Sequence, residues 1–276
     1  MRARSLPVVM LALLATLACK PERAPVEPDA ADSPADPIGE PPDNEHAFRY
    51  GVQTIYAYAD PSLDGEVDRL FEVFATMRDE AYVIRDGGEL PIGWTTLRFA
   101  VEGARITVLE PDYDGDPEHD SRSDISVSLA TLARQRAVLS LAGVQGEAID
   151  FDRHVLLVRG ALEQDEVFLV RVESPGGRMT GWRLSPTSGM QPEDEVDSLP
   201  VHAILRARPE LVDAMLLPAG YMAFYAGERL ITLVDERDEV VWDWARDGEL
   251  APLGADEPAD PEQPAGDPGL LPQLDR

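Results

Sequence analysis

Between residues 111 and 124 the chain reads PDYDGDPEHDSRSD, six carboxylates in fourteen positions. Asp112, Asp114, Asp116 and Asp120 are spaced like the oxygen ligands of a calcium loop, which takes donors at alternating positions, a glycine at the sixth and a bidentate glutamate at the twelfth. Counted from Asp112, Pro117 stands at the glycine position and Ser123 at the glutamate position. The run ahead of the loop alternates like a strand, where a calcium loop of this type follows a helix. The stretch therefore reads as an acidic connection into a helix, whose start carboxylates favour in any case. Its four aspartates are the sequence's one calcium candidate.

Other chemistry is harder to place. His46, His119, His154 and His202 lie far apart and show no metal-ligand spacing, so each reads as a structural histidine. There is no phosphate loop, dinucleotide glycine fingerprint, zinc-protease helix or nucleophile elbow. With 52 acidic residues, carboxylate pairs arise by chance and single out no acid–base site. The sequence points to a protein without catalytic turnover and without a cofactor.

The one cysteine, Cys19, excludes an internal disulfide, and its place matters more than its number. Arg2 and Arg4 precede the apolar run LPVVMLALLATLA, which is too short to span a bilayer and has the layout of a secretory signal. The junction Thr16-Leu17-Ala18-Cys19 resembles a bacterial lipoprotein box, although Thr16 departs from the usual leucine. That resemblance implies cleavage before Cys19 and its lipidation, and Lys20 in the next position implies an outer-membrane anchor facing the periplasm.

The formal charge is −28, which excludes a nucleic-acid binder and leaves the lipid anchor as the route to a membrane. The proline-rich segment of residues 19–45 and the tail of residues 251–276 are acidic and almost free of aromatic residues, so both read as disordered. Setting aside these two segments and the two arginines of the signal leaves −19 on residues 46–250. The acidity belongs to the folded part and suits a basic protein partner approached through electrostatic steering.

The folded part must be positioned by a mixture of helices and strands. Residues 49–60 alternate as one strand, and Leu63, Val67, Leu70, Phe71, Phe74 and Met77 form one helical face with Ser62 as its N-cap. Two strands surround Glu102-Gly103-Ala104. A second helix over 125–142 turns Leu129, Leu132, Ala133 and Leu139 inward and stops at Gly143. Residues 154–174 read as a strand hairpin, GWRLSP as a further strand, and residues 199–220 as two short helices broken near Arg208 by Pro209. Two or three strands close the fold. Without a regular βαβ rhythm the class is α+β, with mixed or antiparallel sheets, a few packed helices and two possible subdomains, residues 46–147 and 148–250.

Within this frame, VFLVRVESPGGRMTGWRLSP, with Arg171, Gly181, Trp182 and Arg183, and LPVHAILRARPELVDAMLLPAGYMAFY resemble the Imm33-like immunity proteins over about residues 96–236. RSDISVSLATLARQRAVL resembles the helix ahead of that domain, while Thr180 departs from the polar pair that relatives often carry. The resemblance implies a protein that inhibits a partner toxin by binding it. Without a toxin, the same features describe an envelope-associated structural or binding lipoprotein. Arg171, Trp182 and Arg183 are candidate interface anchors, since tryptophan and arginine are enriched at hot spots. For Trp182 core packing on a strand is the favoured reading.

The address is directly testable. Replacing Cys19 by alanine is expected to move the mature chain from the membrane fraction to the soluble one, and unchanged partitioning would contradict lipidation.

Overall fold

In the computed structural model, residues 44–189, 191 and 195–248 are described. The signal, Cys19, the tether up to residue 43 and the tail from residue 251 lie outside the described residues. The elements in chain order are β1 (Glu45–Tyr50), β2 (Gln53–Tyr58), α1 (Asp64–Asp79), β3 (Glu89–Ile92), β4 (Thr95–Glu102), β5 (Arg105–Pro111), β6 (Ser121–Arg122) and α2 (Ser126–Ala142). They continue with β7 (His154–Val158), β8 (Glu166–Arg171), β9 (Met179–Pro186), β10 (Val196–Pro200), α3 (Val201–Ala207), a 3-10 turn (Pro209–Ala214), β11 (Met222–Ala226), β12 (Arg229–Val234), β13 (Val240–Asp243) and α4 (Trp244–Asp247).

Two mixed sheets result, and the class is α+β. The first runs β1-β2-β5-β4-β3, with β6 paired to β5. Its β2–β5 pair is parallel and the rest antiparallel. The second runs β10-β7-β9-β8-β11-β12-β13, with only β7 and β9 parallel. One buried apolar cluster takes side chains from both sheets and from α1, α2 and α3.

Local physics accounts for where expectation and structure part. The expected single strand over 49–60 is a hairpin, because Gly51 turns it with φ +61°. Ser62 does not cap α1. It sits in a 3-10 turn whose cap is Asp60, which accepts from the Ser62 backbone N–H at 2.9 Å. The α2 helix ends at Gly143 in the left-handed region, as the sequence indicates. Strands β7 and β8 form no hairpin, since β9 inserts between them as the parallel neighbour of β7. A parallel neighbour brought in from beyond the next strand leaves no short-range turn signal.

Polar contacts with three other elements help to tie down the α2 helix. Glu110, fully buried on β5, accepts from the Ser128 backbone N–H at 2.7 Å and from Arg122 Nε at 2.8 Å, so one carboxylate satisfies an otherwise orphaned first-turn amide and an arginine. Burial nonetheless pushes its pKa up. Arg136 pairs with Glu66 of α1. Arg134 donates from Nε to Asp213 Oδ1 at 2.9 Å, joining α2 to the 3-10 turn.

Burial raises Asp213 from an ordinary 3.8 to about 6, against the opposing pull of Arg134. The folded form therefore holds this proton more tightly than the unfolded chain, and the contribution of Asp213 to stability falls as pH rises from about 4 through about 6. A shift of this size corresponds to roughly 2–3 kcal/mol. Thermal unfolding of Asp213→Asn beside the wild type is expected to show the Tm difference moving in the variant's favour between pH 4.5 and 7.5. A constant difference would contradict the assignment.

Candidate functional site

The second sheet separates its residues into two rows by strand alternation. On the inner row, Leu157, Leu184, Leu169, Ala223, Leu233 and Trp242 lie opposite one another across six strands, and all are buried. On the outer row, Leu156, Arg183, Val170 and Met222 lie opposite one another, and one step along Phe168 faces Phe224. The two phenyl rings stack with centroids 5.5 Å apart. The apolar members of this outer row are partly exposed and lie outside the buried cluster.

A solvated sheet face ordinarily carries polar residues. Here two phenylalanines, a methionine, a valine and a leucine surround one exposed arginine. Glu166 opposite Ala226 and Asp243 opposite Thr232 set carboxylates at the ends of the apolar patch. Beside Arg183 a recess of about 200 Å³ opens against Leu156, Val158 and Val196, the last of which is 46% exposed. An apolar centre with aromatic, methionine and arginine side chains inside a charged rim is the composition of a protein–protein contact surface.

The three expected anchors fall on opposite sides of this division. Trp182 is 0% exposed and donates its indole N–H to the Met215 carbonyl at 2.9 Å. Arg171 is 6% exposed, donates to the Met215 and Leu217 carbonyls, pairs with Glu147 at 3.1 Å and lies 5.8 Å from the Trp182 ring. Both belong to the core, and a partner reaches neither without opening the sheet. Only Arg183 is presented outward.

Gly181 shows why the Gly-Trp pair exists. Its φ is +87°, and a Cβ there would stand 2.3 Å from the Val172 carbonyl oxygen. The glycine lets β9 approach the chain after β8 and turns the following tryptophan inward. Gly93-Trp94 repeats the combination, with φ +58° and a fully buried tryptophan.

The acidic loop is a structural tie. Asp112 Oδ1 accepts from the Asp114 N–H at 3.2 Å, Asp116 holds His119 Nδ1 at 3.0 Å, and Asp114 Oδ2 accepts from Arg122 at 3.1 Å. The Asp120 carbonyl accepts from the Asp112 N–H at 3.0 Å. Arg206 of α3 grips the Tyr113 carbonyl through Nε at 3.1 Å and Nη2 at 2.6 Å. These side chains have separate partners, and among the described residues no three His, Cys, Asp or Glu side chains gather as a metal cluster.

Sequence reading missed Phe168, Val170, Met222 and Phe224. EVFLVR is apolar at both parities, so its outward face carries no polar mark. The signal that was available is the absence of polar alternation in a strand whose neighbours cover only one side.

Among the described residues, the geometry is that of an α+β scaffold whose second sheet has one packed and one open face. Residues 134–242, from the middle of α2 through β13, match the family model of the Imm33-like domain, whose name refers it to an immunity-protein family. The match holds the second sheet as far as Trp242 of β13, beginning later than the resemblance read from residue 96. No curated protein and no solved structure matches the chain.

Inner and outer rows predict opposite mutational outcomes. Trp182→Ala is expected to cost about 3–5 kcal/mol in urea unfolding, the usual loss for a buried tryptophan. Arg183→Ala is expected to stay within about 0.5 kcal/mol of wild type. A stable Trp182→Ala variant would return that residue to the candidate interface.

Proposed function

We propose that this chain is an immunity-type protein that neutralises a partner toxin by binding it, held at the cell envelope by a lipidated Cys19 and facing the periplasm. The observation that carries the reading is the coincidence of two features. The Imm33-like match spans the second sheet, and that sheet presents an apolar, aromatic and arginine-bearing row to solvent. The contact uses Phe168, Met222 and Phe224 as its apolar centre and Arg183 as its polar anchor.

Charge supports the same reading. Residues 46–250 carry −19, so a basic partner is drawn in over the distance that salt allows, roughly 8–10 Å at physiological ionic strength. The apolar row then supplies short-range affinity that salt does not screen. Association rates are accordingly salt-dependent, while dissociation is set by the patch.

Binding without chemistry needs no catalytic constellation. Three of the titratable side chains have structural partners: Glu110 ties α2, Asp213 pairs with Arg134, and His119 pairs with Asp116.

The test is co-expression of this chain with the toxin encoded by the neighbouring gene, that toxin being exported to the periplasm. Cells are expected to survive with the wild-type chain and to be killed with a folded Phe224→Asp variant. Equal killing with and without the wild-type chain would refute the immunity reading.

A further inference from the structure

A second cleft, of about 560 Å³, lies between the acidic loop, the start of α2 and the end of α3. It shares no lining residue with the outer row of the second sheet. In a chain whose acidic residues outnumber its basic ones by 52 to 24, three arginines line this cleft, Arg122, Arg134 and Arg206.

The three are not equivalent. Arg122 is compensated by Glu110 at 2.8 Å and Asp114 at 3.1 Å, and Arg134 by Asp213 at 2.9 Å. Arg206 is held by carbonyls alone, those of Tyr113 and Gly115, and among the described residues no carboxylate lies within ion-pair distance of it. Its Nε and Nη2 are occupied, and so are Nε and Nη2 of Arg134. Each arginine thus keeps Nη1, with two N–H donors, free of a protein acceptor among the described residues.

The rest of the lining selects among anions. Leu63, Val127 and Leu205 give the cleft an aliphatic wall, and the one aromatic lining residue, Tyr113, is buried with its ring stacked on Trp94 and leaves little face for a nucleobase. Asp60 and Asp114 also line it, so a phosphate dianion meets repulsion that a single negative charge meets far less. The volume lies in the range of small-ligand sites.

We propose that this cleft binds a monocarboxylate carried on a short aliphatic body, its oxygens taken by Nη1 of Arg206 and Arg134 and its apolar part laid on Leu63, Val127 and Leu205. The carboxylate is supplied by a free small acid or by the C-terminal residue of a peptide. Charge-assisted hydrogen bonds from a pre-positioned guanidinium are strong enough to select the acid over its neutral amide.

The test is titration calorimetry on the full chain with 4-methylpentanoate and with N-acetyl-Gly-Leu, each beside its amide, and with inorganic phosphate. At least one of the two acids is expected to bind and its amide to bind at least tenfold more weakly. Binding of 4-methylpentanoate assigns the site to free acids, and binding of the peptide alone assigns it to a C-terminus. Arg206→Gln is expected to weaken the acid at least tenfold. Ala130→Glu, which sets a carboxylate into the cleft from a half-buried position of α2, is expected to abolish binding, with a cooperative thermal transition showing that the chain stays folded. No binding of either acid, equal binding of acid and amide, tighter binding of phosphate, or binding unchanged in Ala130→Glu would overturn the proposal.

Discussion

Residues 211–217 impose the constraint on which the second half of the fold depends. Leu211, Val212, Ala214, Met215, Leu216 and Leu217 are all buried, yet no α-helix or strand pairs their backbone. A buried carbonyl without a partner costs about 1–3 kcal/mol, so each must find a donor; the Met215 and Leu217 N–H groups serve Val212 and Ala214 from within the segment, and other donors come from outside it. Gln135 of α2 donates to Val212, the Glu147 N–H to Leu216, the Trp182 indole to Met215 and Arg171 to Leu217. The Gly220 N–H then donates to the Arg171 carbonyl at 2.7 Å, locking the exit from the segment against β8. Arg171 is buried at a cost, which burial expresses by pulling its pKa down, and its carbonyl partners with Glu147 offset that cost.

This constraint divides the sheet's labour. Once Trp182 and Arg171 are committed inward, strand alternation sends Arg183 and Val170 outward on the same two strands. The register carries that division across β11, placing Met222 and Phe224 beside Phe168. The open face is therefore a consequence of how the core is satisfied, and an apolar open face is retained at a solubility cost that a partner would relieve. The large negative charge offsets the cost by keeping copies of the chain apart.

Much of this was legible in the sequence, and the illegible parts share one cause. Helix α2 announced itself through Leu129, Leu132 and Leu139 and the Gly143 stop, and the break at Pro209 was read from proline chemistry alone. The closing strands and the turn at Gly103 were equally plain. What failed was long-range: the neighbour of β7 is β9, and no local pattern in residues 154–174 carries that pairing. For Trp182 the sequence favours the core, where the structure places it, but the residue type fits an interface as well and only the sheet register decides. Arg206 went unremarked because its importance rests on the Tyr113 carbonyl, 93 positions away. The aspartates of the acidic loop attracted attention, while the loop's tie to α3 runs through its backbone.

The central claim is that the outer row of the second sheet, and not the Gly-Trp motif, meets the partner. Hydroxyl-radical footprinting reads side-chain exposure directly, and phenylalanine, methionine and tryptophan all react. Applied to the chain alone and in the presence of the proposed partner toxin, it is expected to show oxidation of Phe168, Met222 and Phe224 falling on binding, with Trp182 unmodified in both states. Unchanged oxidation of those three residues, with protection appearing elsewhere on the chain, would contradict the account.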